Sequence, residues 1–140
     1  MAFDAVAQAG DVLLVVAGDH VRFLGPRSRE EVLALFAAAD VTVPSSSWEN
    51  FPHAVVESLT VGTPVVSTAV GGVDEIVVDG VNALLVPPRD PHALGAALRR
   101  YLGDHELQER LRAAAAPSVK RFSRDRVLLA LGRGLEEAAA

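Results

Sequence analysis

The chain has 140 residues, of which 50% are hydrophobic, with no cysteine and a formal net charge of −5. This length fits one domain with its own core, the lack of cysteine excludes a disulfide framework and a thiolate metal site, and the negative charge argues against a nucleic-acid surface. No apolar run reaches the roughly 18 residues of a membrane-spanning helix and the first residues lack a basic signal-peptide start, so we expect a cytoplasmic protein without a transmembrane segment.

The first quarter of the chain predicts two strands. Residues 3–9 are expected to be the tail of a helix, and residues 11–17 form a continuous apolar run of strand length, typical of a strand buried on both faces. A second strand is predicted over residues 21–24. The short connection allows a hairpin turn but no parallel crossover, so the two strands either run antiparallel or have lost a segment between them.

The middle of the chain alternates helix and strand. Ser28, followed three residues later by Glu31, is a capping box that predicts a helix to about residue 39. Pro52 suits a first helical turn and Gly62 the position just after a last one. Strands are therefore predicted over residues 41–43, 64–68 and 84–86, with helices over about 52–61 and 73–78.

From Asp90 onward the pattern predicts helices alone. Asp90 and Asp104 are expected to cap two helices, Pro117 to kink or end the second, and Ser123 to cap a third that runs to about residue 137. The third helix would carry an apolar stripe without a natural partner, formed by Val127, Leu128, Leu131 and Leu135. Such a stripe favours self-association.

The stretch from residue 45 to residue 57 carries the strongest functional signal; it reads Ser-Ser-Ser-Trp-Glu-Asn-Phe-Pro-His-Ala-Val-Val-Glu. Glu49 lies in the loop and Glu57 inside the following helix, eight positions later. The helix start directs unpaired amides and the positive end of the helix dipole toward the space in front of residues 50–54, which suits an anion. Glu57 belongs to an otherwise apolar helix segment, so it needs a partner or a cleft.

This pattern resembles the signature of the retaining glycosyltransferases of family 4. Besides the two glutamates, the resemblance rests on Pro44-Ser45 before them, on the segments 62–66 and 71–75 after them, and on residues 11–18, 21–25 and 84–87. It implies the C-terminal, nucleotide-sugar donor-binding domain of a GT-B enzyme. The implied fold is α/β, a Rossmann-like and mostly parallel sheet of about five strands flanked by helices, with a helical C-terminus.

The resemblance also implies a role for individual residues. Glu49 would be catalytic and face the transferred sugar, and Glu57 would accept hydrogen bonds from the ribose hydroxyls. The remaining donor-binding positions would be Ser45, Asn50, Phe51, Pro52, His53 and Ala54 for the diphosphate and sugar, Leu24 and Gly25 for the base, and Gly71 and Gly72 for close backbone approach to the ligand. No cofactor or metal is implied, and the sequence contains no Asp-x-Asp or clustered His set to hold a metal.

Plainer interpretations of these residues remain open. Glu49 could be a loop carboxylate in water, and Glu49 with Glu57 could be a glycoside hydrolase pair, although nothing else supports that reading. His53 could donate to a phosphate or be an ordinary half-exposed residue of a helix start. Trp48 could wall a pocket or pack under the loop, and residues 71–72 could form a plain turn.

The predicted diphosphate site has no cation within its own motif, because no Lys or Arg occurs between Arg29 and Arg89. In the resembled family an Arg and a Lys come from the first strand and its loop, and that strand lies in the middle of the sheet. We therefore expect a single donor-binding domain over residues 1–140, truncated at its N-terminus, that binds a UDP- or GDP-sugar weakly. The strand over residues 11–17 is expected to pair directly beside residues 41–43 unless a partner chain fills the gap.

Two functions follow. The first is nucleotide-sugar-dependent glycosyl transfer with retention of anomeric configuration, in which this chain supplies the donor-binding half and an N-terminal acceptor domain or a partner chain supplies the rest. The alternative is a non-catalytic nucleotide- or sugar-binding module, or an inactive fragment that associates with itself as a homo-oligomer. The Ala and Arg bias of the composition is typical of a GC-rich bacterial genome.

Overall fold

The computed structural model describes residues 4–9, 12–17 and 20–122 of the chain, with side chains from residue 21 onward. These residues form six strands: β1 (Asp4–Ala9), β2 (Val12–Ala17), β3 (His20–Phe23), β4 (Val41–Pro44), β5 (Val65–Thr68) and β6 (Ala83–Val86). They also form five α-helices: α1 (Arg29–Ala38), α2 (His53–Thr60), α3 (Val73–Ile76), α4 (Pro91–Gly103) and α5 (His105–Ser118). A 3₁₀ turn follows at Lys120–Phe122. The helix predicted from Ser123 and its apolar stripe lie outside the described residues.

The six strands form one sheet in the order β3-β2-β1-β4-β5-β6. Strands β1, β4, β5 and β6 run parallel, whereas β2 pairs antiparallel with both β1 and β3. The predicted α/β class is confirmed, with one strand more than the five expected. Of the two alternatives for β2 and β3, the antiparallel pairing is the one that the structure contains.

Two predictions about the N-terminal region are wrong. Residues 4–9 form strand β1 and not the tail of a helix, and β2 does not pair beside β4, because β1 lies between them. Ala5 pairs with Val16 on one side and with Val41 on the other. A strand with neighbours on both sides satisfies its backbone donors and acceptors along its whole length, and that tertiary gain outweighs the helical propensity of an Ala-rich segment.

The helix starts are confirmed where the sequence contained a cap. The Ser28 hydroxyl accepts from the Glu31 amide at 3.2 Å, and the Glu31 carboxylate accepts from the Ser28 amide at 2.9 Å. Asp90 and Asp104 each accept from the amide three residues later, at 2.9 Å. Helix α5 passes Pro117 and ends one residue later, at Ser118.

Most of the core lies in two apolar layers, one on each face of the parallel strands, and a smaller cluster forms around Phe36 and Ala39. Consecutive residues of β5 point to opposite faces, so Val65 packs in the layer that contains Val55 and Leu59 of α2, and Val66 packs in the layer that contains Tyr101 of α4. Helix α5 contributes to both layers. The sheet is thereby covered on both faces around β5, as expected of a doubly wound α/β domain.

Helix α2 is fixed against β4 by buried hydroxyl groups. The Thr42 and Ser58 side-chain oxygens lie 2.5 Å apart, and Ser58 also donates to the Thr63 carbonyl at 3.1 Å. Gly62 ends the helix region with a φ of +85°, the left-handed conformation expected just after a helix. Because buried hydrogen bonds are costly to break, these contacts set the position of α2 relative to the end of β4.

Candidate functional site

A cavity of about 370 Å³ lies between the C-terminal end of β4 and the start of α2. Its lining residues are Pro44, Ser46, Ser47, Trp48, Glu49, Phe51, His53 and Ala54. In open α/β sheets, ligands bind outside the carboxyl ends of the parallel strands, which is where this cavity lies. The structure therefore brings four of the predicted site residues together here: Glu49, Phe51, His53 and Ala54.

Glu49 is held in place by the loop that precedes it. The Ser46 hydroxyl donates to Glu49 Oε1 at 2.8 Å, and the Ser46 carbonyl accepts from the Thr68 hydroxyl at 2.7 Å. The Ser67 hydroxyl donates to the Pro44 carbonyl at 3.0 Å. Two hydroxyls at the end of β5 thus fix the loop after β4, so the Glu49 carboxylate is oriented before any ligand binds.

The turn at residues 71–72 packs closely against the same loop. Gly71 has a φ of +54°, and a Cβ atom there would overlap the Glu49 carbonyl oxygen and lie 2.8 Å from its carbonyl carbon. A Cβ on Gly72 would lie 3.3 Å from the Asn50 carbonyl oxygen. The close contact at these glycines is made with the protein's own Glu49 loop, and Gly71 is required there on steric grounds alone. Close approach to a ligand stays a prediction.

The first turn of α2 has no side-chain cap. Pro52 has no amide hydrogen, and the His53 amide donates to the Phe51 carbonyl at 2.9 Å. Of the five predicted amide positions, Asn50, Phe51 and Ala54 remain as donors for a ligand. An uncapped helix start leaves the positive end of the dipole without a neutralising side chain, which favours an anion in front of it.

Aromatic side chains border this helix start. The Phe51 ring lies edge-on to the His53 ring at 4.9 Å and to the Phe122 ring at 6.1 Å. The Arg121 guanidinium lies 4.7 Å from the centre of the Phe122 ring and also donates to the Glu75 carbonyl. Trp48 lines the cavity with 75% of its surface exposed, so it forms part of the wall and does not pack under the loop.

Glu57 lies at a different cavity, of about 450 Å³, bounded by α1, α2, α5 and the 3₁₀ turn. The two cavities share no lining residue. Glu57 Oε1 accepts from Arg29 Nε at 2.8 Å. The carboxylate in the apolar helix segment therefore has both a partner and a cleft, while the structure does not bring it into the cavity of Glu49.

The remaining predicted residues, Leu24, Gly25 and Ser45, line neither of these two cavities. Leu24 packs in the small apolar cluster that includes Ala54 at the start of α2. Gly25 has a φ of +66° and open space where a Cβ would stand. Ser45 lines a third cavity of about 280 Å³ together with Thr68 and Arg89. Leu24 is thus near the helix start, whereas Ser45 lines a different cavity from Glu49.

Sequence reasoning missed three contributions to the site. The hydroxyls of Ser67 and Thr68 end an apolar strand and could have been noticed as polar residues at a carboxyl strand end. The contact of Arg29 with Glu57 could not be predicted from a local pattern, because the two residues are 28 positions apart. Phe122 carried no local signal. Within the described residues no cluster of His, Asp or Glu is arranged to hold a metal ion, and no helix there combines the length and apolarity needed to cross a bilayer.

The sequence model described as glycosyl transferases group 1 matches residues 11–117. The chain belongs to this family. The D-inositol 3-phosphate glycosyltransferase of Streptomyces griseus is 42% identical over 107 residues, which are 76% of this chain and 23% of that protein. The enzyme of the same name from Salinispora arenicola is 38% identical over 122 residues, 87% of this chain and 27% of its own length. This group 1 chain thus spans about a quarter of the curated relatives it matches.

Solved structures share the fold. Sucrose-phosphate synthase from Thermosynechococcus elongatus superposes with a TM-score of 0.78 at 33% identity, over 88% of this chain and 32% of the other. Anabaena HepE, solved in complex with UDP-glucose, superposes with a TM-score of 0.77 at 27% identity, over 86% of this chain and 33% of the other. The match to glycosyltransferase structures confirms the fold expected from the resemblance. Strand β1 precedes the first residue matched by the family model.

Proposed function

We propose that this chain forms the nucleotide-sugar-binding half of a glycosyltransferase that retains the anomeric configuration of the transferred sugar. One observation carries the proposal: a pre-oriented carboxylate, Glu49, shares a cavity with the uncapped start of α2 at the carboxyl end of a parallel strand. An amide-rich helix start suits a diphosphate, and a fixed carboxylate beside it suits the sugar that the diphosphate carries.

The proposed roles follow the geometry from the cavity outward. The amides of Asn50, Phe51 and Ala54 bind the diphosphate, and Glu49 faces the sugar during transfer. The sugar's bond to the leaving phosphate oxygen breaks, a bond to the acceptor oxygen forms on the same face, and the proton of the acceptor hydroxyl leaves on the departing phosphate. Glu57 accepts from the ribose hydroxyls, because a carboxylate can accept from two neighbouring hydroxyls at once. Leu24 and Gly25 lie beside the base. Transfer requires no metal or other cofactor in this proposal.

The donor is a UDP- or GDP-sugar, and the acceptor is bound by an N-terminal domain or a partner chain. Anabaena HepE, a solved structure 27% identical to this chain, was solved with UDP-glucose, which supports a nucleotide-sugar donor for this chain. The chain spans about a quarter of its curated relatives, so a second part that binds the acceptor fits their length. In this arrangement the sugar is transferred in the cleft between the two parts.

Titration of the chain with UDP-glucose, GDP-glucose, UDP and free glucose tests this proposal. Trp48 is the single tryptophan and lines the Glu49 cavity, so its fluorescence reports occupancy of that cavity directly. We expect both nucleotide sugars or one of them to change the fluorescence and glucose alone to leave it unchanged. Calorimetry with Glu49→Gln is the second measurement. This variant should bind UDP with the affinity of the unaltered chain but bind the UDP-sugar more weakly. A chain that binds none of the four ligands would refute the proposal.

A binding module without turnover is the second candidate, and one observation favours it. Among the described residues no Arg or Lys lines the Glu49 cavity, and a helix start supplies only about half a unit charge against a diphosphate. Donor hydrolysis by the purified chain distinguishes the candidates. Turnover that Glu57→Ala removes supports the transferase, whereas nucleotide binding without turnover in either protein supports the module.

A further inference from the structure

The ion pair between Arg29 and Glu57 connects two separate helices. Two other ion pairs, Arg27–Glu31 and His105–Glu109, instead join residues four apart at a longer distance of 3.6 Å. Arg29 Nε and Glu57 Oε1 are 2.8 Å apart and lie at the first residue of α1 and the second turn of α2. This contact fixes the direction of the Glu57 side chain from outside its own helix.

The two partners differ strongly in exposure. The Glu57 side chain is 22% exposed along its cavity, while the Arg29 side chain is 77% exposed. The contact uses one guanidinium nitrogen and one carboxylate oxygen, so Glu57 Oε2 has no hydrogen-bond partner among the described residues. A carboxylate offers about four acceptor positions, and most of them remain open toward the cavity.

We propose that Arg29 is a positioning residue for Glu57: it holds the carboxylate in the orientation that accepts hydrogen bonds from the ribose of the nucleotide. This inference rests on the proposed function, in which Glu57 binds the ribose. The physical reason is preorganisation. A glutamate free to rotate loses rotamer entropy when it binds a diol, whereas one already held by Arg29 loses less of it. Arg29 thus acts through Glu57 and need not touch the nucleotide itself.

Calorimetry with UDP and with 2′,3′-dideoxy-UDP tests this role, because the second compound lacks both ribose hydroxyls. For Arg29→Gln we expect UDP to bind roughly three- to fivefold more weakly, the size of one exposed ion pair, and dideoxy-UDP to bind unchanged. Arg29→Lys should recover part of the lost affinity, since it keeps the charge but not the planar donor. Arg27→Gln is the matched control, because it removes a neighbouring cation whose partner is Glu31.

A double-mutant cycle separates positioning from a direct contact. In a Glu57→Gln background, Arg29→Gln should change neither affinity further, since the carboxylate that it orients is gone. Equal weakening of both nucleotides by Arg29→Gln would mean that the guanidinium binds the diphosphate, and this would overturn the proposal. Ribose discrimination that is the same in Arg29→Gln and the unaltered chain would overturn it as well, while leaving the proposed function standing. If the unaltered chain bound no UDP, the proposed function would fail and the positioning role with it. Thermal unfolding of each variant verifies that it is folded.

Discussion

The contact between Gly71 and the Glu49 loop provides the sharpest test of the site. In Gly71→Ala, the new methyl group would overlap the Glu49 carbonyl oxygen and lie 2.8 Å from the carbonyl carbon. Because ordinary contacts between carbon atoms begin near 3.5 Å, the Glu49 carbonyl carbon has to move by roughly 0.7 Å, and the overlap with its oxygen requires a larger shift still. The residue must also adopt a φ of +54°, which is unfavourable for alanine.

The two costs can be separated with a matched glycine. Gly80 has a φ of +73° and no atom within 4 Å of where its Cβ would stand, so Gly80→Ala carries the backbone cost alone, roughly 1–2 kcal/mol. Gly71→Ala adds the steric cost of overpacking, about 1–3 kcal/mol. In Gly72→Ala the new Cβ would lie 3.3 Å from the Asn50 carbonyl oxygen, and φ is not positive there. This variant should therefore lose less stability than Gly71→Ala.

Urea unfolding followed by circular dichroism measures the three losses of stability. Because the displaced loop carries both Trp48 and Glu49, Gly71→Ala should also alter the native tryptophan fluorescence and weaken nucleotide-sugar binding, whereas Gly80→Ala should alter neither. Equal destabilisation by Gly71→Ala and Gly80→Ala would refute the steric argument. Unchanged fluorescence and binding in a folded Gly71→Ala variant would show that the turn does not determine the position of Glu49.

Three further predictions concern the fold. Arg89 is the non-glycine residue with a positive φ (61°) among the described residues, and this conformation is costly for a residue with a Cβ. Arg89→Gly should therefore raise the free energy of unfolding, measured in urea, by about 1 kcal/mol. A decrease would contradict this. The Ser28 amide lowers the pKa of Glu31 from its usual 4.5, so this carboxylate stabilises the fold above pH 4.5 and loses that effect as the pH falls through the lowered pKa. Glu31→Gln should therefore melt at a lower temperature than the unaltered chain at pH 7, and both should melt at the same temperature in acid. A difference in melting temperature that persists in acid would contradict the prediction. The Tyr101 hydroxyl donates to the Asp40 carbonyl at 2.8 Å, and burial raises the pKa of Tyr101 above 10.0. Tyr101→Phe should therefore lower the free energy of unfolding by about 1 kcal/mol at pH 7, and its stability should fall less than that of the unaltered chain as the pH rises above 10. Parallel pH profiles of stability would disprove this.

Features set by neighbouring residues could be predicted from the sequence. The capping box at Ser28, the aspartate caps of α4 and α5 and the glycine after α2 each depend on a contact within about five residues. The predicted ends of these helices therefore lie close to the observed ones. The loop after β4, followed by a helix start, was predictable for the same reason, and it contains Glu49 and most of the cavity lining.

Features set by distant pairing could not be predicted in this way. Strand β1 is Ala-rich, and what makes it a strand is its pairing with β2 and β4. A local signal did exist: two residues, Gly10-Asp11, separate the paired Ala9 and Val12, and a Gly-Asp pair between apolar runs is typical of a two-residue hairpin. The same dipeptide, Gly18-Asp19, stands in the sequence between β2 and β3, which also pair antiparallel.

The separation of the two glutamates constrains the kind of ligand that the site can bind. Glu49 lies in the cavity at the start of α2, and Glu57, one helical turn after His53, lies in another cavity that shares none of its lining. A ligand that contacts both carboxylates therefore has to extend from one cavity into the other. In the proposed function the nucleotide sugar does so, with its sugar at Glu49 and its ribose at Glu57. On the proposed function, Glu57 should therefore contribute to the binding of UDP itself, whereas Glu49 should contribute only when the sugar is attached.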